Sequence, residues 1–583
     1  MRRSLFAPAL ILGLAASPAI AFQQPSDSID VLQEARAAQV EFERVRMAHL
    51  PWGSSRAGSA RDEIVGRLVL LGDEGEEWRA PPDPSPVVEA RRELLGALSG
   101  AAADLPGDGW IAGQRVFYHV EAGRADAALA AARECRGEAW WCHALAGYAH
   151  HAAGDFVASE AAFEEALAGM PSTDRRRWLD LDDLIEGEAE QAYRDSEDGD
   201  RAAFLGRFWW LADPLWSLSG NDRRTEHFSR HVLDRILRDA RTPFELGWGS
   251  DLREVLIRYG WPTGWERIRA RTWALGAGGG SGVVGHDPLG ERRFVASGDA
   301  FARPTERDFV QGSLEDDGAR STYAPAYAER FVDLDHQLAI FRRGDSARVV
   351  AGWSLPPDSL GGSTRGPSAD SSAGDVEAAL VVSTDPESPF RLVRSRESGV
   401  SGTLALTVAW SPAVVSVEAL AREASLAARA RYGLPIDGPA GRRPALSDLL
   451  LVDPAGGLPR SLREATSRAR ASVRVEPDRS VGVFWEIYPP GGGPYEARLS
   501  MRLKDEQGGF WKGLGAALGL TDRAGGSVAL EWIETIPARQ EVYPRALVLS
   551  LPDLPPGRYA LELEVVLPDS RRAWVERPIV VEE

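Results

Sequence analysis

The residues of this chain that are best spaced to do chemistry are two histidines. His227 and His231 lie four residues apart in the segment EHFSRH. If the segment is helical, both imidazoles lie on one face and could hold Zn²⁺ for a metal-dependent hydrolase. Glu226 stands before the first histidine, so the order is neither H-E-x-x-H nor its inverse. A third ligand would have to come from elsewhere, with Asp234 or His286 as candidates.

The same histidines also have a purely structural interpretation. Phe228, Val232 and Ile236 recur at helical spacing and indicate an amphipathic helix. On such a helix the imidazoles would pack against tryptophans or lie exposed among arginines. The tryptophans near enough in sequence are Trp209, Trp210 and Trp216.

Other catalytic signatures are missing from the sequence. It contains neither a G-x-S-x-G elbow nor a GK[ST] phosphate loop. Its lysines are Lys504 and Lys512, which leaves little for Schiff-base or Ser–Lys chemistry. Residues 276–290 contain the letters of G-x-G-x-x-G, but no strand pattern leads into them, so they are interpreted as a linker. No motif calls for a cofactor.

The charge balance excludes some partners. The chain has 67 basic and 86 acidic residues, a formal net charge of -19. Such a field repels nucleic acid and anionic lipid. We therefore expect no nucleic-acid partner.

The first residues are typical of an export signal. Arg2 and Arg3 precede an apolar run, and Ala19-Ile20-Ala21 supplies a small-x-small cleavage site. Residues 1–21 are therefore predicted to be a signal peptide. The alternative is a retained anchor, but the run is shorter than the ~20 residues of a spanning helix. With no later membrane segment expected, the mature chain would be periplasmic or secreted.

Two cysteines fit an oxidising compartment. Cys135 and Cys142 lie on either side of a turn between two predicted helices. A pair this close in sequence could form a disulfide, or could pack as two small buried side chains.

Residues 22–240 are predicted to be helical and to contain repeats. In residues 139–171, small and large apolar positions follow a helix–turn–helix repeat pattern. They are Gly147, Ala149, Gly154, Phe156, Phe163, Ala166, Leu167 and Pro171. This unit resembles a tetratricopeptide repeat (TPR), and residues 110–137 resemble a degenerate second copy. The resemblance implies an α-helical solenoid with a concave groove that binds partner proteins. The groove candidates are Tyr118, His119, Arg133 and His150.

A second resemblance lies in the segment that follows, residues 241–324. The sequence Gly247-Trp248-Gly249-Ser250-Asp251 resembles the motif of GWxTD domains in exported bacterial proteins. Ser250 stands where that motif has Thr and keeps the hydroxyl. The resemblance implies export but no particular reaction. Physically, Asp251 could cap a helix, pair with Arg253 or Arg258, or act as a catalytic acid.

From residue 325 onward the apolar period changes to two. Alternation such as Val481, Val483 and Trp485 is typical of half-buried strands. We expect two antiparallel, immunoglobulin-like β-sandwiches, residues 325–440 and 441–583. Tyr559, after Gly557, resembles the tyrosine corner of such sandwiches.

Together these patterns predict a multidomain protein, α then β. We expect an exported interaction or scaffold protein of the bacterial envelope, binding a protein partner in a TPR-like groove, with no catalytic activity assigned. The alternatives are the hydrolase at His227 and His231, or a polysaccharide-binding protein using aromatics such as Trp511 and Trp532.

Overall fold

The structure is a computed structural model. The residues it describes are 25–53, 63–70, 80–267, 283–286, 292–306, 314, 320–356, 375–397, 399–436, 445–476, 479–490, 494–505, 529–537, 541–551 and 555–582. The predicted signal peptide, most of the glycine-rich linker and Trp511 lie outside them.

Helices dominate the first half of the chain. They are α1 Pro25–Ala48, α2 Ser85–Asp104, α3 Gly109–Glu121, α4 Ala125–Glu134, α5 Ala139–Ala152, α6 Phe156–Gly169, α7 Ser172–Trp178, α8 Gly187–Asp195, α9 Asp198–Ala212, α10 Asp222–Arg238 and α11 Ser250–Tyr259, with α12 Gly298–Ala302 and α13 Leu462–Ser467 further on. Several begin at a polar side chain that accepts a backbone N–H of the first turn, namely Asp108, Asp155 and Asn221. No described helix is long and apolar enough to cross a membrane.

The predicted repeats form two helix pairs, α3 with α4 and α5 with α6. Each pair turns at a glycine with positive φ, Gly123 at 68° and Gly154 at 75°. At Gly147 a Cβ would meet the Phe163 ring at 2.9 Å, so the small residue allows α5 and α6 to approach closely. Cys135 and Cys142 are joined by a disulfide between the end of α4 and the first turn of α5.

Helix α10 packs against this stack, contacting α3, α5 and α6. The buried Gln114 donates from its side-chain nitrogen to the carbonyl of Ile236, at 3.0 Å. Gly113 lies so close to Ile236 that a Cβ there would be 3.1 Å from its side chain. The side of the repeats formed by α3 and α5 is therefore covered by the chain's own helix.

The segment with the GWxTD-like motif belongs to a small cluster of its own. Two hairpins contribute to it, β1 Glu63–Val65 with β2 Leu68–Leu70 and β3 Gly264–Arg267 with β4 Val283–His286. Their apolar residues share a core with α1 and α11. Its buried members are Met47, Val65, Leu68, Phe244, Leu252, Val255, Trp265 and Val283.

The second half of the chain consists mainly of strands arranged in two double-sheet units. The first contains β5 Arg330–Asp333, β6 Asp335–Arg343, β7 Ser346–Ser354, β8 Val376–Ser383, β9 Arg391–Glu397, β10 Ser401–Ala409, β11 Ala413–Ala421 and β12 Leu426–Leu434. One sheet has the order β10-β7-β6 and the other β5-β12-β11-β8-β9. All pairs are antiparallel except β5 with β12. A core shared by the two sheets, which includes Trp353 and Val415, makes this unit sandwich-like.

The second sheet unit also contains two sheets. Its strands are β13 Ala445–Leu446, β14 Leu450–Val452, β15 Arg474–Val475, β16 Val481–Tyr488, β17 Tyr495–Asp505, β18 Ala529–Ile536, β19 Tyr543–Leu549, β20 Gly557–Val566 and β21 Arg572–Val581. One sheet pairs β16 with β13, β14 and β19, and the other has the order β15-β21-β20-β17-β18. The buried Tyr559 donates its hydroxyl to the carbonyl of Pro555, as in a tyrosine corner.

The two sheet units are in direct contact. Phe341 and Val350 of the first share a core with Leu450 and Phe484 of the second. The buried Gln337 side chain both donates to and accepts from the backbone of Leu451. Because hydrogen bonds and apolar contacts both cross the boundary, the two sheet units pack directly against each other.

The helices also dock onto the first sheet unit through buried charges. Glu418 of β11 accepts the backbone N–H groups of Trp216 and Ser217, at 3.0 and 2.8 Å. Arg431 of β12 donates to the carbonyl of Leu211 at 2.8 Å and lies 3.9 Å from the centre of the Trp216 ring. We call this region, defined by Glu418, Arg431 and the α9–α10 connection, the joint.

Candidate functional site

Asp251 of the GWxTD-like motif is held by an arginine from a distant part of the chain. Arg67, in the turn between β1 and β2, places Nε 2.6 Å from Oδ2 and Nη2 2.7 Å from Oδ1. The backbone N–H of Arg67 also donates to Oδ2, and that of Leu252 to Oδ1. These bonds from Arg67 hold the pKa of Asp251 at about 2. The carboxylate is thus fully engaged in positioning α11 against the hairpin.

The partners expected for Asp251 from sequence are wrong. Arg253 pairs instead with Asp183 at 3.2 Å, and Arg258 with Glu254 at 3.2 Å. Two positions beside the ion pair require glycine, because a side chain there would clash with the paired residues. A Cβ on Gly249 would lie 2.8 Å from both Arg67 and Asp251, and one on Gly66, where φ is 57°, would lie 2.5 Å from Asp251.

The motif tryptophan is positioned by a second carboxylate. Trp248 donates from Nε1 to Oδ1 of Asp234, at 2.9 Å, and Arg238 donates to the other oxygen at 2.6 Å. Asp234 is buried, so this bond fixes the indole against α10.

An open cavity of about 700 Å³ lies beside Trp248, between α7, α10 and the start of α11. Four arginines and two aspartates supply its charged lining, so its net charge is opposite to that of the chain. The lining residues are Thr173, Arg176, Arg177, Asp180, Asp234, Arg238, Trp248, Gly249, Ser250 and Arg253. We call this the motif cavity. Its chemistry suits binding of negative groups, since guanidinium forks match carboxylate geometry.

The first turn of α11 also favours binding of a negative group. Helix α11 begins at Ser250, its N-cap is Gly249, and no side chain caps it at that residue. Backbone N–H groups and the positive end of a helix dipole favour a negative group at such a terminus. The exposed Ser250 lies in this turn and lines the cavity.

The structure brings the predicted metal ligands His227 and His231 together but encloses them. Their ring centres are 4.7 Å apart and both side chains are buried. His227 donates from Nε2 to the carbonyl of Trp178 at 3.0 Å, while the Trp178 ring stacks on His231 at 5.5 Å. Burial lowers the pKa of His227 to about 3 and that of His231 well below its usual value. Both imidazoles are therefore neutral at pH 7.

The proposed third metal ligand is not supplied. Asp234 is occupied by Trp248 and Arg238, and His286 lies near Glu266, at 3.5 Å. Across the described residues, no group of three His, Cys, Asp or Glu side chains is arranged to hold a metal ion. The pairing of the two histidines with Asp234 or His286 was therefore wrong, because other side chains compete for those ligands.

The groove candidates are not all accessible to a partner. Tyr118 is only 1 % exposed, because its hydroxyl donates to Glu43 and accepts from Gln39, both on α1. Its assignment to an open groove was wrong. His119 and His150 are half-buried near the C-terminal ends of α3 and α5, and His150 approaches Asp155 at 3.6 Å. Arg133 is exposed near the end of α4.

One chemically suggestive arrangement was missed by sequence reasoning. His151 places Nε2 2.8 Å from Glu226 and Nδ1 2.9 Å from the hydroxyl of Thr225. A carboxylate, an imidazole and a hydroxyl in this order are the elements of a nucleophilic triad. However, Thr225 is 0 % exposed, and its hydroxyl lies 3.1 Å from the carbonyl of Asp222, to which it donates. The arrangement is a packing network that ties α5 to α10.

The comparisons with known proteins do not assign a family. No protein-family model matches the chain, and no curated protein matches it. Among solved structures, a red sea bream transglutaminase aligns with 43% of this chain and 31% of its own length, at 10% identity and a TM-score of 0.15. The FN1–FN3 domains of chicken CNTN1 align with 46% of this chain and 71% of their own, at 10% identity and a TM-score of 0.15. The alignment thus spans less than a third of the transglutaminase.

Proposed function

We propose that this chain is an exported, non-catalytic interaction protein of the bacterial envelope, related to GWxTD proteins. A TPR-like helical stack and the immunoglobulin-like sheets serve as one platform, and the motif cavity is the surface that receives a protein partner. This places the docking site beside the motif and away from the side of α3 and α5.

The observation that carries this proposal is the difference between a covered side of the repeats and an open cavity beside the motif. Helix α10 covers the α3–α5 side, through contacts such as Gln114 with Ile236. The motif cavity, by contrast, is open and has arginines in its lining. A concave, charged surface with a tryptophan wall has the composition of a recognition site.

The proposal is tested by site-specific crosslinking in the native host. A photoreactive residue replaces Arg176, which is exposed and lines the motif cavity, or Arg133, which is exposed on α4. We expect one envelope protein to be captured in stoichiometric amount from position 176 and not from position 133. Capture from position 133 alone would favour the original groove, and no adduct at either position would contradict both docking sites.

The two alternative functions have less support. The metal-dependent hydrolase lacks a third ligand among the described residues. For polysaccharide binding, Trp532 is half-buried and packs against the core of the second sheet unit. We therefore propose neither.

A further inference from the structure

The motif cavity differs from the buried core of the molecule in how two of its arginines are used. Arg230 and Arg431 are buried and donate to backbone carbonyls, such as those of Ile257 and Leu211. In the motif cavity, Arg176 and Arg177 are exposed. Gathering exposed cations in one concavity costs repulsion between like charges, and a negative ligand would offset it.

Three separate elements contribute arginines to this space. Helix α7 contributes the exposed Arg176 and Arg177, whereas Arg238 of α10 and Arg253 of α11 are already paired with Asp234 and Asp183. At the start of α11 no side chain caps the helix at Gly249 and Asp251 binds the N–H of Leu252, and this terminus adds the positive end of the helix dipole. Because the ion pair of Arg67 with Asp251 anchors that turn, its position is fixed before any ligand arrives.

A buried and unpartnered polar side chain lies behind the cavity. His231 is seven residues before Arg238 on α10 and therefore lies on the same helical face as two lining residues, Asp234 and Arg238. It is 1 % exposed, neither ring nitrogen has a hydrogen-bond partner, and its charged neighbours include Arg177 and Arg253. Its ring stacks on Trp178 and does not line the cavity, so it belongs to the packed wall behind the arginines.

We infer that the motif cavity binds an acidic peptide segment of the partner protein through its carboxylates. The inference rests on the proposed function and specifies the chemistry of the docked segment. The volume of about 700 Å³ exceeds the space needed for one small anion and suits several side chains. Arg176 and Arg177 would bind two of the carboxylates, and the first turn of α11 would bind a third.

The test is calorimetric titration of the whole protein with a blocked tetraglutamate peptide, its tetraglutamine counterpart and inorganic phosphate. We expect tetraglutamate alone to bind measurably. Raising ionic strength from about 0.1 M to about 1 M should weaken it, because the Debye length falls from ~10 Å to ~3 Å. Equal binding of both peptides, or binding of phosphate without tetraglutamate, would overturn the inference.

A double variant and a matched control locate the binding. Arg176→Gln with Arg177→Gln should weaken tetraglutamate binding about tenfold or more, since each lost bond joins two charged groups. The control, Arg175→Gln with Arg133→Gln, removes two exposed arginines outside the cavity lining and should bind as the unmodified protein does. Equal weakening in both variants would reduce the effect to overall charge and overturn the inference.

The two proposals can fail separately. A partner crosslinked at position 176, together with no carboxylate binding, would leave the docking site standing and overturn the acidic segment. Arginine-dependent binding of tetraglutamate without any crosslinked protein would support the anion site and contradict the partner.

Discussion

The joint and the motif cavity are both rich in charge, but they use it in opposite ways. At the joint, Glu418 and Arg431 are each 1 % exposed in their side chains and lie among backbone groups of the α9–α10 connection. In the motif cavity, Arg176 and Arg177 are exposed to solvent. Charges of the first kind fix how two parts of a chain meet, whereas those of the second kind remain available to a ligand.

This comparison predicts that the largest loss of stability comes from the joint. Replacing Arg431 with Met leaves the buried Glu418 without its cation and removes the bond to Leu211. We expect the free energy of unfolding to fall by about 3–5 kcal/mol, measured by urea denaturation. The control is Arg44→Met in the exposed pair of Arg44 with Glu41, for which a change within about 0.5 kcal/mol is expected. Similar losses in both variants would mean that burial does not distinguish the joint.

A second prediction concerns the helical stack on which α10, a wall of the motif cavity, is packed. Gly147→Ala inserts a methyl group 2.9 Å from the Phe163 ring, and we expect a loss of about 1–3 kcal/mol in the free energy of unfolding. The matched control is Gly100→Ala in α2, where a Cβ meets nothing within 4 Å. There the loss of backbone freedom in the unfolded chain should stabilise the protein by about 0.5–1 kcal/mol. Opposite signs for the two variants confirm close packing of α5 on α6, and equal signs contradict it.

A third prediction tests whether the charge of Asp251 in the motif stabilises the fold, in contrast to the exposed arginines of the motif cavity. Asp251→Asn weakens the pairing with Arg67, and we expect a loss of about 1–2 kcal/mol at pH 6. The folded pKa of about 2 lies below the unfolded value of ~3.9, so this stability is present above pH ~4 and is lost as pH falls through the folded pKa.

The measurement is the difference in unfolding free energy between the unmodified protein and the variant from pH 6 to pH 2. This difference should shrink below pH ~4, and a double-mutant cycle with Arg67→Ala should show coupling. A difference that stays constant with pH would show that the carboxylate does not act through Arg67.

Sequence patterns predict local features of this chain better than distant contacts. The helical period, the turn glycine Gly154 and the change to strand alternation all depend on neighbours in sequence. Helical spacing also places His227 and His231 on one face correctly. What covers that face is Trp178, and no periodicity specifies such a contact.

Contacts in the motif and in the joint could not be predicted from sequence patterns either, because they connect residues far apart in the chain. Asp251 pairs with Arg67, 184 residues away, whereas spacing favoured arginines a few residues along the same helix. Glu418 binds the backbone of Trp216, 202 residues away. The cover provided by α10 over α3 and α5 likewise depends on tertiary packing, so a repeat pattern alone predicts a groove where the fold has a filled surface.

The smallest expected change in stability is also the one that best distinguishes the motif cavity from the joint. The double variant Arg176→Gln and Arg177→Gln should change the free energy of unfolding by no more than about 0.5 kcal/mol, because both side chains are exposed. Urea denaturation checks this, with Arg175→Gln as the neighbouring control on α7. A loss of several kcal/mol would make these arginines structural, as those of the joint are. An unchanged stability combined with weaker binding of the acidic peptide would mean that the motif cavity keeps its charge for a ligand.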